Sequence, residues 1–293
     1  MANDYTLNGQ SLRAMGFVPG HASGSNIALS GAWNMPARLG TCFHEWPDRN
    51  AVEAYVGAED IVFGGREISL TGTVVGDGLM DVGTRIQELR NWLSSQPAEV
   101  TLAGKWGQWS IQMRKSGAIS VKARRFGQVT ITFYEPRPTV TKTAPQHWQL
   151  AEGCNGVFRD DSPMWDNMEI TEGDLCSWRS FGVVVSDVSG IDELTARREQ
   201  NVTQSLRGQR FVRGGMTART ATINGTVIGR DMTEFQAHIN SLQWLLGSSG
   251  LRRFMLHGQT ITCFAKDGFT VTGVQVRDKV RAKISIKVQE AYV

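Results

Sequence analysis

Residues 65–95 read GREISLTGTVVGDGLMDVGTRIQELRNWLSS, and residues 218–249 read ARTATINGTVIGRDMTEFQAHINSLQWLLGSS. The two stretches align without a gap, at a spacing of 153 positions along the chain. Because a repeat of this kind encodes a repeated structural unit, the alignment decides the expected architecture. The matching pairs include Gly72 and Gly225, Thr73 and Thr226, Val74 and Val227, Gly76 and Gly229, Ile86 and Ile239, Leu89 and Leu242, and Leu93 and Leu246.

Each copy of the repeat predicts a strand, a turn and a helix. In the first copy Ile68 and Leu70 alternate with polar residues, which is the period-two pattern of a half-buried strand. Each helix carries apolar residues at steps of three, four, three and four, which form one apolar stripe. An acidic residue, Asp77 or Asp231, precedes each helix and suits the unpaired N–H groups there. The stripes are Leu79, Val82, Ile86, Leu89 and Leu93, and Met232, Phe235, Ile239, Leu242 and Leu246.

A similar series of short strands is predicted after each helix. The interval from Leu93 to Phe133 is 40 positions and that from Leu246 to Val288 is 42. The sequence therefore predicts a mainly β (α+β) protein with two tandem β-sandwich or barrel domains, each with one packed amphipathic helix. The predicted strands cover residues 99–102, 108–113, 119–122 and 128–133, and residues 254–256, 260–264, 269–272 and 282–288.

Prolines and irregular segments set the expected domain boundaries. Pro136, Pro138 and Pro145 end the first strand series, so we expect a first domain at residues 1–138, a connector at 139–169 and a second domain at 170–293. Segments 19–62 and 186–214 have weak periodicity and scattered Gly, Arg or aromatic residues, which is typical of interaction arms. Phe181 follows Gly173 by eight positions, as Phe17 follows Gly9, and this weak match suggests that the two segments are equivalent.

Composition indicates a globular protein of two domains of ordinary size. The chain has 293 residues, 41% of them hydrophobic and 20% charged, with a net charge of +3. No apolar run is long enough to span a membrane, and the N-terminus lacks the features of a signal peptide, so we expect synthesis in a cytoplasm. The four cysteines form no CxxC pair and are expected to be buried free thiols; they are Cys42, Cys154, Cys176 and Cys263.

The sequence contains no recognisable catalytic, cofactor-binding or metal-binding constellation. The histidines, at positions 21, 44, 147, 238 and 257, lack metal-ligand spacing. Residues 76–78 read Gly-Asp-Gly before a helix, which is too weak a match for a phosphate-binding loop and is interpreted as a strand-to-helix turn. Asp160 and Asp161 lie in a polar turn cluster and are interpreted as solvated. We therefore assign no site residues and no cofactor, and expect no enzymatic activity.

Two further patterns concern possible ligands. Basic stretches at 122–125, 207–219 and 279–287 could line a nucleic-acid path, but Lys alternates with Ile in the last one, as on the wet face of a strand. The near-neutral net charge argues against specific nucleic-acid recognition. Trp106, Trp109 and Trp178 could instead form stacking platforms, so a carbohydrate- or surface-binding β-module is the alternative function.

The opening of the chain resembles a known family. Residues 5–9, Tyr-Thr-Leu-Asn-Gly, lead through a polar loop to residues 65–72, Gly-Arg-Glu-Ile-Ser-Leu-Thr-Gly, and then to the amphipathic helix. This order of segments is similar to that in the distal tail proteins of siphophages, which have a tail-tube fold. The resemblance covers residues 1–138 and, less clearly, 170–293.

The resemblance implies a structural virion protein of a long-tailed bacteriophage, assembled in the host cytoplasm and without enzymatic activity. Such a protein forms a ring at the tail tip that joins the tail tube protein to the baseplate hub or tail-tip proteins. DNA passes non-specifically through its channel, and no membrane is involved. Many members carry one tube-like domain and form hexamers, whereas here the second half looks like a second copy. Three chains would then form a ring with pseudo-six-fold shape, with a hexamer as the other option.

Overall fold

The computed structural model describes residues 4–76, 79–115, 119–123, 126–142, 144, 157–159, 178–192, 203–205, 208–210, 214–256 and 259–292. Within these residues the chain is mainly β, with two α-helices, as predicted. The first half contains β1 (Thr6–Leu7), β2 (Gln10–Ser11), β3 (Phe17–Pro19), β4 (Leu29–Ser30), β5 (Phe43–His44), β6 (Val52–Ala54), β7 (Arg66–Val75), α1 (Leu79–Ser94), β8 (Val100–Gly104), β9 (Gly107–Lys115), β10 (Ile119–Ala123) and β11 (Phe126–Glu135). The second half contains β12 (Val157–Arg159), β13 (Val183–Ser189), β14 (Thr203–Ser205), β15 (Gly208–Arg210), β16 (Thr220–Gly229), α2 (Met232–Gly247), β17 (Arg252–Leu256), β18 (Gln259–Phe264), β19 (Phe269–Val276) and β20 (Val280–Tyr292).

Two large sheets have related strand orders. Unit 1 is the sheet β2-β1-β8-β9-β11-β7-β3, with β10 on β11 and β4 on β7, together with α1. Unit 2 is the sheet β12-β17-β18-β20-β16-β13, with β19 on β20, together with α2. Neighbouring strands within unit 1 are antiparallel, and in unit 2 only the short β12 runs parallel to its neighbour, among the pairs described. The units therefore repeat one arrangement, β-strand, helix and four strands.

The repeated strands β7 and β16 have the same neighbours in the same register. Gly72 lies opposite Val129 on one side, and its counterpart Gly225 lies opposite Ile284. A side chain at either glycine would come within 2.6 Å of a backbone carbonyl of the adjacent strand, which explains why both copies keep glycine. The further matching pairs are Phe17–Val74 with Val183–Val227, Val18–Thr73 with Val184–Thr226, and Ile131–Leu70 with Ile286–Ile223.

The predicted equivalence of Phe17 and Phe181 was wrong by two positions. A short 3-10 helix ends at Gly16 in unit 1 and at Gly182 in unit 2, where φ is 78° and 71°. Glycine adopts these left-handed values without steric cost. Phe17 therefore corresponds to Val183 and not to Phe181, because the strand register begins directly after the glycine.

The predicted apolar stripes face the sheets from Val82 onward in α1 and along the whole of α2. Leu89 is 1% exposed and Leu242 is fully buried, and both belong to one continuous apolar core shared by the two units. Asp231 is the N-cap of α2 and accepts a hydrogen bond from the Glu234 N–H at 2.9 Å, as its position suggested. Asp77 lies outside the described residues.

An ion pair recurs at the same place in both units. Arg66 Nε lies 2.6 Å from Glu135 in unit 1, and Arg219 Nη2 lies 2.7 Å from Glu290 in unit 2. Arg66 is the first residue of β7 and lies opposite Glu135 in the register. Arg219 directly precedes β16, and its carbonyl accepts from the Glu290 N–H at 2.9 Å. Arg219 was counted within the basic stretch 207–219, but Glu290 neutralises it.

Residues 20–63, which we call the strap, include β4 at the edge of unit 1 and then cross unit 2. The Met35 N–H donates to the Phe269 carbonyl at 3.0 Å. Further along, β6 pairs in parallel with the end of β20, through Val52 and Ala291. The expected arm at 19–62 thus contacts the second half of its own chain. The proposed boundaries at 138 and 170 stay a prediction, as do partners of the arm at 186–214, much of which lies outside the described residues.

The strap begins with an insertion relative to unit 2. Residues 20–28 separate β3 from β4, whereas residues 186–187 occupy the equivalent place within the continuous strand β13. The strands end alike, at Gly31 and Gly190, where an added Cβ would lie 2.2 Å and 2.1 Å from equivalent backbone carbonyls. The insertion is therefore a local difference between two otherwise matching units.

Candidate interaction surface

The helix-free faces of the two sheets are polar. Since side chains alternate along a strand, the apolar residues of β7, β11, β16 and β20 face the helices and the polar residues face outward. We call this outward surface the polar wall. Its residues are Ser69, Thr71, Thr73, Gln128, Thr130 and Thr132 in unit 1, and Thr222, Asn224, Thr226, Lys283, Ser285 and Lys287 in unit 2.

The unit 1 part of the polar wall borders a groove of about 730 Å³, and unit 2 reaches this groove through Thr272 on β19, which lies opposite Lys283 in the strand register. Thr71 and Thr130 of unit 1 line one side of the groove, and Thr272 on β19 lines the other. The strap insertion, including His21 and Ser25, lies at the same groove. The helix-free faces of both units are therefore adjacent on one side of the molecule.

Hydroxyl groups form a ladder on the unit 1 part of the polar wall. Ser69 Oγ lies 3.1 Å from Thr132 Oγ1, and Thr71 Oγ1 lies 3.4 Å from Thr130 Oγ1. Such pairs stabilise neighbouring strands and keep the surface uncharged.

The unit 2 part of the polar wall is cationic. Arg281, Lys283 and Lys287 are exposed on the outward side of β20, and we call them the cationic stripe. In the strand register Lys283 lies opposite Thr226 and Lys287 opposite Thr222, where unit 1 has Gln128 and Thr132 at the same places. None of the three cations has an ion pair with a described residue. The basic stretch at 279–287 is thus an exposed strand face, as its alternation predicted.

The insertion of the strap holds the edge of β19. The Asn26 amide donates to the Val276 carbonyl at 2.8 Å, and its Oδ1 accepts from the Val276 N–H at 2.8 Å. The Asn26 N–H donates to the Val274 carbonyl at 3.0 Å. Asn34 Oδ1 accepts from the Val271 N–H at 2.7 Å. These contacts cover polar backbone groups that an edge strand would otherwise leave exposed.

The remainder of the strap presents exposed aromatic and aliphatic groups. Trp46 is 42% exposed, and its Nε1 donates to Glu53, which also accepts from the Tyr292 hydroxyl at 3.2 Å. The hydrogen bond from Trp46 contributes most to holding the pKa of the Glu53 carboxyl below its usual range. Leu39 and Val62 lie side by side and are more than half exposed. Exposed Trp and Tyr side chains are enriched at protein interfaces.

The tryptophans proposed as sugar platforms are placed otherwise. Trp109 is 7% exposed and Trp178 is fully buried, with its ring 5.0 Å from that of Phe254. Trp106 is half-buried at a cavity of about 230 Å³ between unit 1 and α2, and its carbonyl accepts from Gln236 at 2.6 Å. The assignment of Trp109 and Trp178 as exposed platforms was therefore wrong, because both side chains point into the core.

Buried thiols and histidines form no metal cluster in the described part of the chain. Cys42 and Cys263 are buried and free, and burial raises the pKa of the Cys263 thiol well above its usual value. His238 is half-buried beside Gly182, and its desolvation there lowers its pKa. The remaining candidates lie outside the described residues; they are Cys154, Cys176, His147, His257, Gly78, Asp160 and Asp161.

Within the described residues, no helix is both long enough and apolar enough to cross a membrane.

Comparisons with known proteins give a structural likeness and no sequence relative. No family model matches the chain, and neither does any curated protein. Among solved structures, the chain is similar to the SPP1 Dit protein, described as a paradigm of the hub adsorption apparatus in phages that infect Gram-positive bacteria. The TM-score is 0.38 and the identity 14%, over 100% of both chains.

Proposed function

We propose that this chain is a structural component of a long-tailed bacteriophage tail, a distal tail or tail-tip ring protein that joins the tail tube to the baseplate or hub around the DNA channel. The observation that supports the assignment best is the contact between the two units. One unit binds the other through different surfaces: the strap of unit 1 lies on β19 and β20 of unit 2. Contacts of this head-to-tail kind generate rings when their rotation closes.

The polar wall supports a ring with a central channel. Both helix-free faces lie on one side and border the same groove, so a circle of such units can present one continuous polar surface inward. A surface of hydroxyl, amide and amino groups stays wetted and offers no apolar side chain to a passing polymer. The resemblance of residues 1–138 to siphophage distal tail proteins agrees with this arrangement.

The proposed stoichiometry follows from the duplication. Six tube-like units around a channel require three chains if each chain supplies two. The exposed groups Leu39, Trp46 and Val62 on the strap are then available to neighbouring tube or hub proteins.

Two measurements test the proposal. Electron microscopy of the purified full chain is expected to show rings with six lobes, and their mass is expected to be three times the 32.3 kDa of one chain. Rings of six chains would overturn the proposed stoichiometry of three chains but would agree with the proposed ring assembly. Particles that stay monomeric at high concentration, together with absence of the protein from purified tails, would overturn the assignment.

A further inference from the structure

Among the residues that the structure describes, the cationic stripe has no acidic ion-pair partner that would explain its charge. Arg281, Lys283 and Lys287 point outward from β20, whose own Glu290 is paired with Arg219. Asp278, in the adjacent turn, lines a pocket together with Arg281 but forms no ion pair with it among the described contacts. Asp187 accepts a hydrogen bond from the side chain of Asn224 at 3.4 Å and lies on β13, at the far side of β16. Three like charges on one strand face repel one another, so their presence together needs an anionic ligand or a purely solvated role.

The groups around the stripe suit phosphate. Lys283 lies between Thr226 on β16 and Thr272 on β19, and Ser285 lies between the two lysines on the same face. Hydroxyl and amide groups beside Lys and Arg are the side chains that contact phosphate oxygens in protein–DNA interfaces.

The two copies differ in side-chain charge at these places but have the same strand register. The equivalents of Lys283 and Lys287 in unit 1 are Gln128 and Thr132, which belong to the neutral part of the polar wall. Fold stability does not require lysine there, because unit 1 forms the same sheet without it.

We infer that the cationic stripe is a contact surface for the phosphate backbone of duplex DNA, independent of base sequence. The choice of duplex DNA rests on the proposed function, since DNA is the polyanion that would pass the polar wall. The stripe makes three phosphate contacts per chain through one guanidinium and two ammonium groups. The neutral wall of unit 1 makes none, so each chain alternates a cationic and a neutral sector along the wall.

The test uses the full chain and a fluorescent duplex of random sequence, with binding followed by anisotropy. Three phosphate contacts give a slope of roughly −2.7 for log K against log salt concentration, so affinity falls about 40-fold between 50 mM and 200 mM salt. The double variant Lys283→Gln and Lys287→Thr, which installs the unit 1 residues, is expected to reduce the slope to roughly −0.9. A second duplex of unrelated sequence should bind the parent with the same constant.

A matched control removes two cations elsewhere. Arg90 on α1 and Lys142 after β11 are exposed, and the double variant Arg90→Gln and Lys142→Gln should keep the parent slope. Unchanged thermal melts show that the stripe variant is folded. A parent that does not bind duplex DNA, or a stripe variant with the parent slope, would overturn the inference.

Assembly of the ring is measured separately, from the particle mass. A stripe variant that still forms rings but has lost DNA binding supports the inference. A stripe variant that fails to assemble while its DNA binding persists would show that the stripe binds an acidic surface of a second copy, and would overturn it. Rings formed by a parent that binds no DNA would leave the proposed function intact and remove only this inference.

Discussion

Trp33 tests whether the strap is part of the core of unit 2. Its side chain is 6% exposed, and its ring lies 5.9 Å from that of Phe235 on α2, at an interplanar angle of 79°. The edge-to-face pair contributes roughly 0.5–1.5 kcal/mol beyond the burial of its apolar area. Trp33→Ala removes this pair and leaves a cavity against the helix. Large-to-small changes of this type cost about 3–5 kcal/mol, so we expect the free energy of unfolding to fall by about 4 kcal/mol.

Trp46 in the same strap is the matched control. It is 42% exposed, and its described contacts are with His44 and with Glu53. Trp46→Ala loses the exposed ring contact with His44 and the hydrogen bond to Glu53, and the hydrogen bond is worth about 1 kcal/mol. Both variants remove the same side chain from the same segment, so the difference between them isolates burial against unit 2.

The assay is urea unfolding of the full-length variants, followed by circular dichroism and checked at several wavelengths for a single transition. We expect Trp33→Ala to lower the midpoint clearly and Trp46→Ala to lower it slightly. If unfolding occurs in two steps, the loss should appear in the step that melts unit 2. Equal midpoints for the two variants, or a loss confined to unit 1, would refute the strap as a shared core element.

Three further predictions follow from the matching units. Leu89→Ala and Leu242→Ala should each lower the free energy of unfolding by about 2–5 kcal/mol, since both side chains are buried under the sheet; melts equal to the parent would contradict the helix packing. Glu290→Gln should destabilise at neutral pH, because hydrogen bonds from Arg219 lower the pKa of that carboxylate in the folded chain. Its stabilising effect is present above the unfolded pKa of roughly 4.3 and disappears as the pH falls through the lower folded pKa, so a difference from the parent that persists at the lowest pH would be evidence against it. Asn26→Ala should speed limited proteolysis of the strap insertion, and an unchanged cleavage pattern would show that its bonds to β19 do not hold the loop.

Local periodicity explains what the sequence could predict. The stripe of α2 and the alternation along β20 depend on neighbours a few positions away, so both are visible in the sequence. The repeat also predicted which residues occupy equivalent positions in the two copies: Leu93 and Phe133 in one copy correspond to Leu246 and Val288 in the other. The predicted strand at 282–288 covers the middle of β20, which continues to Tyr292 because the strap pairs with its end.

Predicting that the tryptophans are buried requires the structural alignment of the two copies. Trp109 occupies the strand position of Ile261, and Trp178 lies in the 3-10 turn that corresponds to residues 12–15. An apolar counterpart in the other copy is the feature that could have placed Trp109 in the core. For Trp178 the alignment was displaced by two positions, so no such comparison was available from the sequence.

The strap could not be predicted because its partners lie far away in the sequence. Asn26 and Val276 are 250 positions apart, and nothing in the composition of residues 20–63 specifies which surface they contact. Weak periodicity predicted an interaction arm there, and its role as an arm stays a prediction. The same pattern fits an arm that binds another chain and an arm that folds back, and the choice depends on the relative placement of the two units.

The insertion at residues 20–28 has a consequence for symmetry. It exists in unit 1 alone, and it supplies Asn26 to the edge of β19 within the chain. Unit 2 has only residues 186–187 at that place, so the same contact cannot form from unit 2 to the next chain. Any closed ring of these chains must therefore alternate two kinds of unit-to-unit contact. Its true symmetry then equals the number of chains, and a ring of six units made by three chains has three-fold symmetry with six-fold shape.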